Sequence, residues 1–586
     1  MNPHPTASAP PPVVRLLPHL VDFAANHYGD APFLLRHTPQ GWSGLSFNGF
    51  ARSVHAFAAL LESAGIGPGT RVGLQAENRP EWPIAYMAVL EAGAVVVPID
   101  VLLQPREVGE ILETAGATHV ITSARQRDEL QAIRDTRLPA LELISLDPRD
   151  GDPLTLPVAL ARFATATART SPAEPGDLAV LIFTSGTTGQ AKGVMLSHSN
   201  LLHNVEAVAR TFVFGPGDRF LSVLPLHHTF ESTGGMLCPM RVGASVAYAR
   251  GLKSNELRED IRSSGTTLFI GVPLLYEKLL AGIHRAIDDA PLPRRLLART
   301  LLGVTRLVRL TTGARIGWKL LAPLREKAGL GKLRMYVSGA SPLPTEVFWG
   351  FADFGWPLLE GYGLTETSPV VVANRPPRPL PGAVGWPLPG IELRIVNPDE
   401  SGDGEIAVRG PNVMIGYYRQ PEMTAEVLRD GWFFTGDLGH LTADGRLKIT
   451  GRLKNMIATA AGKKIYPEEV EAVLANCPYI LEVVVAGGRD ARGDREEVHA
   501  YIHPDRQALE GLARLQNRVC DDAFIDAVLK REVDARGQEL AAYKRVKRLY
   551  LRHDEFPKTT TGKIKRPGLT ADAPGTRVIA TVTAVA

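Results

Sequence analysis

Over roughly its first 250 residues the chain alternates helical and strand patterns, and that alternation limits the fold more than any other feature. FNGFARSVHAFAALLESAG has apolar residues at helical spacing and ends at a glycine, and RVGLQA follows as a short strand. REVGEILETAG and THVITS repeat the pair, as do SNELREDIRSSG and TTLFIGV further on. Such alternation predicts parallel sheets covered by helices. PIAYMAVLEAGAVVVPIDVLL fits the scheme as a helix, a turn at Gly93 and a buried strand. It carries Glu91 and Asp100 and breaks at Pro98, so it does not read as a membrane span.

A chain of 586 residues is too long for one core. After about residue 380 the texture turns β-rich, in IELRIVN, GEIAVRG and GRLKIT, and from about 452 strands and helices mix again, as in EEVEAVLANC and ILEVVVAGG. The expected organisation is a disordered leader over 1–18, a large domain over 19–451, a smaller α+β domain over 452–570 and a tail over 571–586. The formal net charge of +3 implies no nucleic-acid partner. Cys238, Cys477 and Cys520 are far apart and odd in number, which argues against a disulfide framework or a zinc site and points to a reducing cytoplasm. The start, MNPHPTASAPPPVVRLLPHL, lacks the apolar run of a signal peptide.

Chemistry first appears in LIFTSGTTGQAKGVMLSHSN, where a polar, glycine-rich segment follows an apolar strand. Gly186, Gly189 and Gly193 allow the backbone close to a ligand, Thr184, Ser185, Thr187 and Thr188 supply hydroxyls, and Lys192 supplies a mobile charge. That inventory suits a polyphosphate, although a surface turn rich in small residues has similar composition. The spacing fits neither a Walker loop nor the dinucleotide pattern G-x-G-x-x-G.

Four further stretches stand out. VSGASPLPTEV reads as a strand running into a turn at Gly339 and Ala340, then a helix with Pro344 early in it. LLEGYGLTETSP sets Tyr362 between Gly361 and Gly363, followed by Thr365 and Glu366. GWFFTGDLGHLTADGRLKITGRLKNMI carries Asp437 after a Thr-Gly turn, then Arg452 and Lys454, and FPKTTTGKIKR places Lys563 after a glycine. Each has an ordinary structural alternative: a core aromatic, a helix cap, a solvated basic surface, a flexible tail.

Taken together and in this order, the five motifs resemble the adenylate-forming (AMP-binding) superfamily, nearest in character to bacterial long-chain fatty acyl-CoA synthetases. The resemblance runs from about residue 20 to 568. It implies an α/β fold: a large N-terminal domain of two stacked α/β sheets plus a distorted β-barrel, with a small mobile α+β C-terminal domain. It implies a reaction in two halves: a carboxylate attacks Mg-ATP to give acyl-AMP and pyrophosphate, then the CoA thiol displaces AMP. The segment Thr184, Ser185, Gly186, Thr187, Thr188, Gly189 with Lys192 would wrap the departing phosphates, and Thr184 and Glu366 would organise Mg2+. Tyr362 would stack on adenine opposite Gly339 and Ala340, Asp437 would accept from the ribose with Arg452 in support, and Lys563 would meet the α-phosphate. Gly361, Gly363 and Thr365 belong to the same nucleotide-binding stretch. His228, in LPLHHTFE, falls where the family places a residue beside the acyl carboxylate; its alternative is a helix-side histidine in the acyl-pocket wall. The C-terminal domain would pivot near Lys454, presenting either Lys563 or AAGKKIYPEEVE, and Ala458 stands where many relatives have lysine.

LPLHHTFESTGGMLCPMRVGASVAYARG and FIGVPLLYEKLL resemble long- or medium-chain fatty acyl-CoA synthetases more than acetate or aromatic-acid ligases, and Gly234, Gly235 and Gly243 in apolar surroundings would leave room for a chain. Competing readings are a ligase that loads a carrier protein, a luciferase-like oxygenase and a non-catalytic nucleotide-binding protein. From Arg294 to Arg334 eleven Lys or Arg face only Glu326, interleaved with Leu, Val and Trp318. That pattern fits either a peripheral membrane contact or helices packed on the large domain with a solvated basic face.

Overall fold

The structure is a computed structural model and describes residues 14–168, 171–185, 191–375, 379–458, 464–489, 496–558, 564, 566 and 575–581. By packing, the chain divides into two units: Met1–Leu393 with Val408–Phe433, and Arg394–Ala407 with Phe434–Ala586.

The first unit holds two sheets. The seven-stranded sheet runs Gly416–Tyr417, Ala191–Ser197, Leu178–Ser185, Val95–Pro98, Arg71–Gln75, His119–Thr122, Glu142–Ser145. Its last five strands in that order are mutually parallel, and Ala191–Ser197 returns antiparallel beside Leu178–Ser185. Successive side chains point to opposite faces. Val96, Leu74, Ile121 and Ile182 therefore enter one core, and Val95, Val97, Val120 and Leu181 enter another. With both faces covered, the strands read as unbroken apolar runs such as VVVP, without polar alternation.

The nine-stranded sheet runs Trp386–Pro387, Val370–Ala373, Leu358–Gly363, Met335–Ser338, Leu268–Gly271, Arg219–Ser222, Ser245–Tyr248, Pro32–Thr38, Gly41–Ser46. Its six strands from Leu358–Gly363 to Pro32–Thr38 are parallel. Helices Phe47–Ser63 and Glu81–Glu91 pack on each other, the first against Pro32–Thr38 and the second against Arg71–Gln75 and Val95–Pro98. One apolar core thus joins both sheets.

Every residue from Trp82 to Glu91 is buried, so Glu91 needs a partner inside. His55 supplies it: Nδ1 lies 2.9 Å from Glu91 Oε1, and Nε2 lies 3.3 Å from Asp22 Oδ1. Three helices are pinned at one imidazole.

A five-stranded sheet of Glu392–Val396, Gly404–Arg409, Trp432–Leu441, Leu428–Arg429 and Leu447–Arg452 accounts for the β-rich texture and forms a half-barrel, as the expected distorted barrel requires. The second unit holds the sheet Ile480–Arg489, Glu496–Pro504, Arg548–Arg552, Thr576–Thr581, with helices Pro467–Leu474, Arg506–Leu515 and Asp522–Gly537. Val470, Val485, Ile502, Phe524 and Leu549 form its core. Thr576–Thr581, within the stretch read from sequence as a tail, pairs antiparallel with Arg548–Arg552, and Leu16 and Leu17, read as leader, are buried. Pro344 caps the helix Thr345–Asp353 instead of lying in it.

The hydrogen bonds and charges of Asp22 and Glu91 outweigh the effect of burial and lift the His55 pKa to about 9. A histidine raised on folding gives stability that is complete below its unfolded value of about 6.5 and is lost as pH rises through about 9. His55→Gln is expected to cost about 3 kcal/mol at pH 6, because Glu91 stays buried with its charge uncompensated. Urea denaturation monitored on the first unit should show the difference between variant and wild type shrinking by pH 10.

Candidate active site

Within the nine-stranded sheet the chain passes from Arg219–Ser222 to Ser245–Tyr248 on one side, then returns to Leu268–Gly271 on the other. Such a reversal leaves a crevice at the carboxyl ends of the parallel strands, where α/β folds bind ligands. His228 and Phe230 follow the first of these strands, Gly339 and Ala340 follow Met335–Ser338, and Gly361, Tyr362 and Gly363 end Leu358–Gly363. Ser338 lies opposite Glu360 in the parallel pair, so the two groups predicted to flank a flat ring leave the sheet side by side.

Local sterics hold this edge in shape. A Cβ at Gly339 would lie 2.9 Å from the Phe230 ring, which places the His228–Phe230 turn against that wall. Ala340 takes a left-handed φ of 73°, a strained choice for a residue with a side chain. A Cβ at Gly363 would overlap the carbonyl oxygen of Pro369. The turn Thr365–Thr367 that follows is tied down by Asn412, which donates to the Thr367 carbonyl at 2.9 Å, and the next strand by Asn204, which donates to the Val370 carbonyl at 2.6 Å. Glu366 is thereby carried on a braced turn.

The glycine-rich segment springs from a hairpin. Thr184 and Lys192 are directly opposite in the antiparallel pair, and Tyr417 pairs with Val194 on the outer side. Lys192 Nζ sits 5.1 Å from the centre of the Tyr417 ring, and the Tyr417 hydroxyl donates to Glu366 Oε1 at 2.9 Å. Burial, then the Glu366 charge, push the Tyr417 phenol far above its usual pKa, so it stays a neutral donor. The structure thus brings Lys192 and Glu366 to a tyrosine that the sequence reading did not single out, with Thr184 facing Lys192 across the hairpin. Gly186, Thr187, Thr188, Gly189 and Lys563 lie outside the described residues, as does the side chain of Ser185.

In the second unit Asp437 lies inside the strand Trp432–Leu441, not after a turn, with Gly436 at φ 69° marking an irregularity. Arg452 is its register partner, and Nε meets Asp437 Oδ1 at 2.7 Å. The carboxylate is 6 % exposed and the arginine 42 %. Lys454 is exposed in the short turn Leu453–Asn455.

Two buried carboxyls sit beside predicted positions. Burial lifts Glu231 to about 8, and among the described residues neither of its oxygens has a hydrogen-bond partner in good geometry. Burial, opposed by backbone N–H groups at Leu343 and Gly382, lifts Glu360 to about 7. Both stood in quoted motifs; only burial distinguishes them. The glycines read as leaving room for an acyl chain have close neighbours instead: Gly243 faces Tyr28, Gly235 faces Glu231, and Gly234 faces Ile270.

Comparison with known proteins agrees with this layout. Residues 21–418 match AMP-binding enzymes, and residues 469–563 match the AMP-binding enzyme C-terminal domain. The chain belongs to the AMP-binding enzyme family. A long-chain-fatty-acid–CoA ligase, FadD15 of Mycobacterium bovis, is 32 % identical over 84 % of this chain and 83 % of its own. A feruloyl-CoA synthase of an Amycolatopsis species is 31 % identical over 82 % of this chain and 88 % of its own. The ATP-bound crystal structure of MatB from Rhodopseudomonas palustris superposes with a TM-score of 0.72 at 28 % identity, covering 93 % of this chain and 97 % of that one. The protein is an adenylate-forming acid–CoA ligase, and ATP and CoA are substrates of that class.

Tyr417→Phe keeps the ring beside Lys192 and removes only the hydroxyl that orients Glu366. A hydrogen bond to a charged group contributes about 1.5–3 kcal/mol, so acyl-AMP formation should fall roughly 10- to 100-fold in pyrophosphate exchange. The melting temperature should change little.

Proposed function

We propose that this AMP-binding enzyme activates a medium- or long-chain fatty acid as acyl-AMP and transfers the acyl group to CoA, releasing AMP and pyrophosphate. The Lys192–Tyr417–Glu366 grouping at the base of the glycine-rich segment carries the reading. It sets a cation and a carboxylate at one place, as neutralising and orienting a polyphosphate requires. No protein nucleophile is needed.

In this reading the hydroxyls of the glycine-rich segment and Lys192 hold the phosphates that leave. Thr184 and Glu366 would hold Mg2+, a hard ion that takes one or two protein oxygens and completes its shell with water and substrate phosphates. The donor set fits: both are oxygen ligands, and no cluster of three or more His, Cys, Asp or Glu suited to another metal occurs among the described residues. Tyr362 stacks on the adenine, with Gly339 and Ala340 opposite. Asp437, oriented by Arg452, accepts from the ribose hydroxyls, and Lys563 meets the α-phosphate and the attacking carboxylate. His228 is placed beside the acyl carboxylate. The small domain, over 452–570, alternates between the half-reactions by turning near Lys454.

The fatty-acid assignment draws on the FadD15 relative. The filled space beside Gly234, Gly235 and Gly243, together with the feruloyl-CoA synthase relative, favours a shorter or aromatic acid as the second reading. A panel of acids from two to twenty carbons plus ferulate, assayed for AMP release with and without CoA, separates them. Because each methylene in an apolar pocket is worth about 1 kcal/mol or more, octanoate or palmitate should exceed acetate and ferulate by at least about tenfold in kcat/KM. A maximum at ferulate would establish the second reading. Pyrophosphate release without CoA-dependent thioester formation would move the activity to a carrier protein.

Two substitutions test the assigned roles. Asp437→Ala should raise the KM for ATP about tenfold or more while leaving that of the acid unchanged. Lys563→Ala should cut acyl-AMP formation about 100- to 1,000-fold, since a charge about 4 Å from a phosphate is worth up to about 4 kcal/mol. Thioester formation from supplied acyl-AMP should be nearly unaffected; equal losses in both halves would remove Lys563 from its assigned place.

A further inference from the structure

The helix Leu292–Thr312 has an apolar face with nothing on it. Leu292, Leu296, Leu297, Val304, Leu307 and Leu310 are 40 to 66 % exposed, whereas no other helix among the described residues exposes more than one large apolar side chain. At about 100° per residue, Leu292, Leu296, Leu307 and Leu310 form one stripe, with Leu297 and Val304 beside it. The opposite side is packed: Leu301 and Leu302 lie against the core, Thr305 is buried, and Arg309 pairs with Asp353 at 2.6 Å while stacking on Trp349. A surface helix needs one apolar face for its own protein. This one has two.

The basic charge nearby sorts into internal and external sets. Arg309 is used as above, Arg315 donates to the Pro379 carbonyl, buried Arg325 donates to the Gly317 carbonyl, and Arg334 pairs with Asp218. Those four are structural. Arg294, Arg299 and Arg306 are exposed on the helix itself, and Lys319 on the next turn of chain. Arg299, although it reaches Asp288, and Arg306 run along one edge of the bare stripe.

We propose that this face of Leu292–Thr312 lies on an anionic lipid surface, its leucines in the boundary between headgroups and acyl chains and Arg299 and Arg306 reaching the phosphates. A helix apolar on one side and edged with arginine adopts that position in the plane of a bilayer. It does not cross: no helix among the described residues is long and apolar enough to do so. A second copy of this chain fits the face less well, because Glu326 is the one acidic residue between 294 and 334 to answer the arginines. The inference holds whichever acid is activated.

Cosedimentation of the full chain with vesicles of phosphatidylglycerol and phosphatidylcholine, and with phosphatidylcholine alone, tests it. Binding is expected to the anionic vesicles at low salt and to weaken as salt screens the surface charge. Leu296→Gln/Leu307→Gln/Leu310→Gln should lower vesicle affinity at least about tenfold, and Arg299→Gln/Arg306→Gln should lower it and flatten the salt dependence. Both variants should keep the wild-type melting temperature and the wild-type rate on a short, soluble acid. Failure of the wild type to bind anionic vesicles at low salt overturns the proposal, as does unchanged binding by the leucine variant. Self-association in sedimentation velocity, abolished by the same leucine substitutions, would assign the face to a second copy instead.

Discussion

A buried carboxylate governs the spacing of the larger unit. Glu91 sits on a helix enclosed on every side and stays there because His55 meets it. The two helices joined by this contact are the layer through which the seven- and nine-stranded sheets share a core. Their thickness fixes how far apart the sheets lie. Tyr417 belongs to the first sheet and Glu366 follows a strand of the second, so the 2.9 Å hydrogen bond between them spans that distance. A bond about 1 Å too long is no bond at all. Packing far from the crevice therefore decides whether the hairpin of Thr184 and Lys192 faces a correctly placed carboxylate.

The crevice also shows how little of its shape comes from polar contacts. Gly339 is held by an aromatic ring, Gly363 by a carbonyl oxygen, and Ala340 by a backbone conformation that its own side chain disfavours. Such positions persist only where the surroundings determine them more strongly than local preference does. The polar groups that bind nucleotide in the proposed scheme are mounted on a frame set by steric exclusion.

Much of this was legible in the sequence, for identifiable reasons. Helix Phe47–Ser63 and strands such as Val95–Pro98 announce themselves by periodicity or by unbroken apolar runs, since each buries a regular face or both faces. Gly339, Ala340 and Tyr362 were marked by glycine next to a strand end, and the structure puts them at the ends of neighbouring strands. Tyr417 left no such mark: it lies in a two-residue strand, some fifty positions beyond its partner, and its neighbours have no period. Glu231 and Glu360 look like any acidic residue until their burial is known. Space was misjudged as well, because a glycine records the absence of its own side chain and not what fills the gap, as Tyr28 does at Gly243. The basic stretch was countable, yet only tertiary contacts divide Arg309 and Arg334 from Arg299 and Arg306.

The strand Thr576–Thr581 closes the sheet of the second unit against Arg548–Arg552, and Lys563 falls on the connection between them. Within that connection Lys558 bridges Ile564, and Arg566 is bound to Glu471 at 2.7 Å. The connection is thus tied to the folded unit at Lys558, Ile564 and Arg566. Fixing those three positions costs conformational entropy that is spent when the unit folds. Ordering at those positions is complete once the unit folds, so it draws nothing from the free energy with which a ligand binds.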